Sequence, residues 1–371
     1  MQQRRISLSD LVLGKPLPWD LYPADPLSGP VLRKGQVLTD SSQFERWVDS
    51  GLFVGDDGAP SVLHLLNQSN QRLERLLLDL RNESNAEREL RDIARDVVTA
   101  VDMNPDVAVA SILLNQIAGT YGVRHCIETA IIAVLVARGM DKPAADILVI
   151  AAAALTMNVG MLRHQDNFQN KRTPLSREEM DIVRRHPSDS AALLQCAGIS
   201  DDAWLDCVMQ HHEKDDGSGY PDGTSAPDVS QNAKLLSLAD RYCAHVSARN
   251  YRRSVCADQT LQQMFLDAPE HSDAELAGQF VRLLGKYPPG TLVQLHNGEI
   301  GVVVHGDGDG RGLHVHPLRD SEGTIIGADA LPLTARRRTA EAGHGIASAL
   351  SEDDAAVRFS MKHIWGEHAR L

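Results

Sequence analysis

The sequence predicts a mainly α protein, a helical bundle flanked by a small strand-containing module at its N-terminus and a small β module towards its C-terminus. Three observations carry this. From Pro105 to about Leu284, apolar-periodic segments follow one another with Gly and Pro mostly between them. Residues 1–60 instead cut short apolar patches with Gly and Pro, as strands joined by turns would be. Beyond Tyr287, Asn297-Gly298 sits between alternating apolar residues, the strongest local signal for a hairpin.

Taken in order, LVLGKPLPWDLY and GPVLRKGQVL read as strands, SSQFERWVDSG as a short capped helix and LFV as a further strand, together a module over 1–60. Leucines at three- and four-residue steps in LLNQSNQRLERLLLDL make 61–104 a connecting helix with one apolar face, which either links domains, packs on a partner helix or docks on its own domain. The helical domain spans 105–286, and within it Ser176 and Glu179 have the spacing of a capping box. The β extension spans 287–335, with GDGDGRG as a loose turn, and 336–371 is a charged, Ala-rich tail, partly helical at best.

Composition narrows the function. A formal charge of -13 argues against a surface built for a nucleic acid polymer. No run approaches the roughly 18 apolar residues of a membrane span, and MQQRRISLSD has no apolar run behind it as a signal peptide would. The cysteines, Cys126, Cys196, Cys207, Cys243 and Cys256, lack close paired spacing, which suits buried, reduced thiols and a cytoplasmic protein.

His125, His186, His211, His212 and Asp240 each fall within or beside a predicted helix. Imidazoles and carboxylates gathered on inward helix faces are how bundles build metal sites, and N/O donors suit iron, manganese or zinc. Scattered histidines alone are more often satisfied polar groups of a core than ligands.

The stretch HHEKDDGSGYPDG, 211–223, resembles the signature of the HD-GYP family, a branch of the HD phosphohydrolases, at His211, His212, Glu213, Asp216, Gly217, Gly219, Tyr220, Pro221 and Gly223. Around it, RHC at 124–126, RRHP at 184–187 and LADRY at 238–242 are similar to the family's other motifs in order, and KYPPGTLVQLHNGE resembles an extension that often follows them. The resemblance covers about 105–305. It implies an HD-type helical bundle, and for members with an intact site, metal-dependent hydrolysis of cyclic di-GMP. It further implies that His125 and Asp240 hold one ion, that His186, His211 and His212 hold another, and that Gly219, Tyr220 and Pro221 shape the nucleotide pocket. Arg185, beside His186, is a candidate ligand contact.

The pattern breaks where the family carries its His-Asp pair, in a run like LHDIGK. Here the stretch is TMNVGM, with Met157 for the histidine, Asn158 for the aspartate and Met161 for the lysine. A thioether is a poor donor to a hard divalent ion, and a neutral amide cannot bridge two cations as a carboxylate does. His164 and Asp166 lie nearby at the wrong spacing, and Tyr121 stands where three-metal relatives place a Glu. The resemblance thus implies a degenerate signalling protein with at most one divalent ion and little phosphodiesterase activity. Its partner would be cyclic di-GMP or a protein such as a diguanylate cyclase, and a homo-oligomer is compatible. The alternatives are a phosphodiesterase with a reduced metal site, and a purely structural scaffold.

Overall fold

Capping and apolar spacing decide where the helices of this chain start and what they bury. The computed structural model describes residues 3–5, 17, 21–22, 32–33, 36–37, 53–55, 61–247, 273–305, 312–326 and 336–371, in two units, Met1–Ser61 and Val62–Leu371.

In the first unit, strands β1 (Gln3–Arg5), β2 (Leu21–Tyr22) and β3 (Phe53–Gly55) form an antiparallel sheet in the order β1-β3-β2. Leu21 is buried and bridges to Leu32. These short pieces do not make a clear module of the kind expected over 1–60; the helix expected in SSQFERWVDSG lies outside the described residues.

The second unit is a bundle closed by a sheet. The expected single helix over 61–104 is two, α1 (Val62–Leu78) and α2 (Ala86–Met103), packed on each other and separated by a 3-10 turn at Leu80–Asn82. Leu63, Leu66 and Leu73 are buried and Asn70 Nδ2 donates to the Ala118 carbonyl at 2.6 Å, so α1 docks on its own bundle. Asn104 caps α3 (Pro105–Leu113), whose first residue is the proline that needs no donor there. Next come α4 (Tyr121–Gly139) and α5 (Ala144–Thr156), both apolar nearly all round and correspondingly central.

By length and composition, Ala144–Asn170 would pass as a membrane-crossing helix, but 56% of its apolar window is buried inside the bundle, as a core helix requires. It also breaks at a 3-10 turn, Val159–Met161, before continuing as α6 (Leu162–Asn170). Helix α7 (Arg177–Cys196) begins with the expected capping box at Ser176 and Glu179. Asp201 caps α8 (Asp202–Gln210), Ser230 caps α9 (Gln231–Val246) and Asp273 caps α10 (Ala274–Leu284).

Strands β4 (Leu292–Leu295), β5 (Ile300–His305), β6 (His314–Arg319), β7 (Arg337–Arg338) and β8 (Ile346–Leu350) form one antiparallel sheet in the order β7-β6-β5-β4-β8. Asn297 and Gly298 turn the β4–β5 hairpin, with Gly298 at a φ of 90°. Strand alternation sends Leu292, Ile300 and Val302 into the bundle core and Val293, Val303 and Val315 into a second cluster.

The tail differs from its reading as a charged, partly helical appendage. Its β8 pairs with β4, and the short helix α12 (Met361–Trp365), after α11 (Glu352–Ala355), buries Met361, Ile364 and Trp365. The Trp365 indole donates to the Val304 carbonyl at 3.1 Å. GDGDGRG lies outside the described residues except for part of its edge.

Candidate metal centre and adjoining pocket

The orientation of His186 follows from its neighbour in sequence. In a helix, the Val183 carbonyl would accept the N–H of residue 187, and residue 187 is proline, which has none. His186 Nδ1 takes that carbonyl instead, at 2.6 Å. His211 reaches the same arrangement differently. It caps the C-terminus of α8, where helical carbonyls run out of backbone donors, and its Nδ1 donates to the Val208 carbonyl at 2.6 Å. Both rings therefore carry their proton on Nδ1 and present a bare Nε2.

Those two Nε2 atoms face each other at 3.1 Å, in a fully buried place. Neither can donate to the other without becoming an imidazolium. Burial, then the charge of His211, pushes His186 down to about 3, and burial likewise lowers His211. His212 is held well below the usual histidine range by burial and by the other two rings. Three neutral imidazoles, with donor atoms all within 4.8 Å of one another, fit a divalent cation that would relieve the opposed lone pairs. This His186–His211–His212 cluster contains no carboxylate.

The other half of the expected site forms a pair. His125 Nε2 donates to Asp240 Oδ1 at 2.7 Å, and Asp240 is not part of the three-histidine cluster. Burial alone would raise the Asp240 carboxyl; the His125 hydrogen bond and the surrounding histidines outweigh it and hold the group well below the carboxylate range. The other ring nitrogen, His125 Nδ1, is buried without a hydrogen-bond partner among the described residues.

Met157 is wholly buried in the apolar core, and Asn158 is buried with its Oδ1 lacking a hydrogen-bond partner among the described residues. The Asn158 oxygen is one neutral donor where a bridging group would be needed. Asp166 accepts from the Gly122 N–H at 3.0 Å at the start of α4, and His164 is exposed and stacked on Phe168, so neither substitutes for the missing pair. Tyr121 stacks on His125 with ring centroids 5.4 Å apart. Met161 is half-buried at the end of the 3-10 turn.

The signature loop is braced by its own residues. Glu213, buried, accepts from the N–H groups of Asp222 at 2.8 Å and Gly223 at 3.1 Å, and Asp216 accepts from Ser218 N–H at 2.9 Å. A Cβ on Gly219 would lie 2.5 Å from Glu213 Cα and 2.6 Å from the His212 carbonyl oxygen, so only glycine fits. The Tyr220–Pro221 bond is cis, and the Tyr220 ring stacks on His212 at 4.7 Å. Burial, then Asp240, pushes the Tyr220 phenol up, opposed by the charge of Arg184. That arginine stands one position before the expected Arg185, and both are exposed.

Beside His212 and Tyr220 lies a cavity of about 280 Å³, also lined by the cations Lys214, Lys234 and Arg241 and by the carboxylates Glu213, Asp215 and Asp273. Lys234 pairs with Asp215 at 2.7 Å, and burial draws the Arg241 guanidinium below its usual range against the pull of Asp240. These three cations were missed in the sequence. Lys234 and Arg241 are seven residues apart on α9, a spacing that puts them on one face and could have flagged them.

Comparison with known proteins agrees with this geometry. The model of the family described as HD domain matches residues 81–276, just over half of the chain. A cyclic di-GMP phosphodiesterase of Pseudomonas aeruginosa is 29% identical over 218 residues, 58% of this chain and 52% of that protein. The cyclic di-GMP phosphodiesterase response regulator RpfG of Xanthomonas campestris is 30% identical over 166 residues, 42% of this chain and 43% of that protein. The chain thus spans about half the length of the curated relatives it matches. Among solved structures, an HDG"Y"P protein from Bdellovibrio bacteriovorus superposes with a TM-score of 0.50 at 15% identity, over 76% of this chain and 99% of that one, a likeness of fold. With an HD-type bundle, three converging histidines and an HD-GYP-like signature loop, this chain belongs to the HD domain family, in an HD-GYP-like form whose metal cluster is reduced and atypical.

Proposed function

We propose that this chain is a signalling protein that holds one divalent ion, iron, manganese or zinc, on His186, His211 and His212, and binds cyclic di-GMP beside it with little or no turnover. The observation that carries the reading is the pair of facing Nε2 atoms at 3.1 Å, each ring's proton fixed on the far nitrogen. The nucleotide is supported by the cavity at His212 and Tyr220, where Lys214 and Arg241 can meet a phosphate while Lys234 pairs with Asp215, and by the relatives named as cyclic di-GMP phosphodiesterases. Gly219 and Pro221 set the Tyr220 ring against that cavity, and Arg184 and Arg185 on α7 are the nearby cations of the loop.

The weak turnover rests on the other half of the site. An ion on the histidines would supply Lewis acidity to a phosphoryl oxygen or bound water. His125 Nε2 and Asp240 engage each other, and Asn158 offers no charge to bridge a second ion. Binding that stabilises ground state and transition state alike does not speed the chemical step. Burial pushes the thiols of Cys126 and Cys207 up to about 12, so they are inert core groups, in keeping with a reducing cytoplasm.

The test combines elemental analysis after chelator-free purification, calorimetry with cyclic di-GMP with and without manganese, and chromatography of products under reducing conditions. One ion per chain, heat on titration and negligible product are expected. Turnover near about 1 per second, abolished by His211→Ala, overturns the reading in favour of a phosphodiesterase with a reduced site. An ion without nucleotide binding points to a protein partner, such as a diguanylate cyclase. Neither ion nor ligand leaves the scaffold role.

A further inference from the structure

We infer that Pro187 is a positioning residue for the ion site, acting through the proton it lacks; the inference rests on the metal reading above. Inside a 20-residue helix a proline removes one backbone hydrogen bond, a change that works against the helix. Here the carbonyl left over, that of Val183, is the one that His186 Nδ1 engages at 2.6 Å. The consequence is specific. An imidazole whose Nδ1–H is held by a carbonyl is the tautomer with its lone pair on Nε2, and that Nε2 is the atom turned towards His211.

The comparison with His211 shows what the proline supplies. His211 stands at the end of α8, where a carbonyl without a backbone donor exists for any sequence. His186 stands in the interior of α7, nine residues in from Arg177, where every carbonyl would ordinarily be occupied. A residue with an N–H at 187 would compete with the ring for Val183. The ring would then be free to place its proton on Nε2, which blocks an ion, or to rotate. Pro187 is itself buried and offers no donor atom to an ion, so its influence passes through Val183 and His186.

The test reads the tautomer directly, by nitrogen-15 spectroscopy of the imidazole rings in metal-free protein, alongside zinc and manganese titrations and urea unfolding. The native protein should show His186 with its proton on Nδ1. Pro187→Ala should lower that tautomer's population and raise the dissociation constant for the ion about tenfold, within the range of lost ligand support. Its urea midpoint should stay or rise, because the helix regains a hydrogen bond. Affinity falling while stability holds is a combination that a merely structural proline would not produce. Native His186 protonated on Nε2 would overturn the inference without any variant, as would a folded Pro187→Ala with unchanged tautomer and affinity. If neither protein binds an ion the metal reading fails, while the tautomer comparison still decides the role of Pro187.

Discussion

Ser190 fastens the turn at Gly160 to the helix that carries His186. Its hydroxyl accepts from the Gly160 N–H at 2.9 Å and donates to the Met157 carbonyl at 2.8 Å, so one side chain closes both ends of the segment holding Asn158. The approach is close enough that a Cβ on Gly160 would lie 2.7 Å from the His186 carbonyl oxygen. Ser190→Ala should cost about 1 to 3 kcal/mol, since it orphans a buried N–H and a carbonyl together. Urea unfolding measures it, and a change below a few tenths of a kcal/mol would mean that the turn is held by packing alone.

Acid should destabilise the metal-free protein well above the carboxylate range. His186 is held at about 3 against an ordinary 6.5, and His211 and His212 are shifted the same way. Below pH 6.5 the unfolded chain takes up protons that the folded rings refuse, so the stability present above that pH is lost as pH falls towards the folded values. Each such histidine contributes a slope of about 1.4 kcal/mol per pH unit inside that window. Thermal midpoints should therefore fall between pH 7 and 5, and a saturating ion should delay the fall because protons must first displace it. A flat profile over that interval would contradict neutral, buried rings.

Restoring the missing groups should change stoichiometry before it changes anything else. Met157→His, Asn158→Asp and Met161→Lys together should raise the bound metal from one ion to two per chain by elemental analysis. They should also give hydrolysis of cyclic di-GMP above the natural chain. Without metal the variant should be less stable, because Met157 is fully buried and its replacement places a polar ring in that slot. A folded variant that still holds one ion would mean that the His125–Asp240 pair does not open.

Gly219→Ala should damage the fold as well as the site. The new methyl would meet backbone atoms on three residues, Glu213, His212 and Lys214, at 2.5 to 2.6 Å, and backbone cannot step aside as a flexible side chain can. A loss of about 1 to 3 kcal/mol is expected, typical of overpacking, with faster amide exchange at Asp222 and Gly223. Wild-type stability in this variant would show that the loop has an alternative path.

Much of this was legible in the sequence, for identifiable reasons. Ser176 and Glu179 announced the start of α7 because capping is a local interaction, and Asn297-Gly298 announced the β4–β5 hairpin for the same reason. Three histidines separated by up to 26 positions converge only because α7 and α8 pack together, so their meeting was reached through resemblance, not spacing. The break at 79–85 was hidden because LLLDL continues an apolar pattern through a 3-10 turn. The tail was misread because β8 gains its meaning from β4, more than 50 residues earlier, and isolated apolar residues such as Ile364 carry no period of their own.

The carboxylate of Glu213 and the bare backbone of Gly219 are committed to holding a loop in shape, whatever happens at the histidines. The stretch 211–223 therefore reports architecture, and 157–161 reports chemistry. A chain can drift at the second without unfolding, because Met157 is at home in a greasy core and Asn158 strands only one oxygen. It cannot drift at Gly219 without losing the molecule. Recognition keyed to the longer motif will thus gather working and silent relatives into one bin, and the short turn before α6 is the place to sort them.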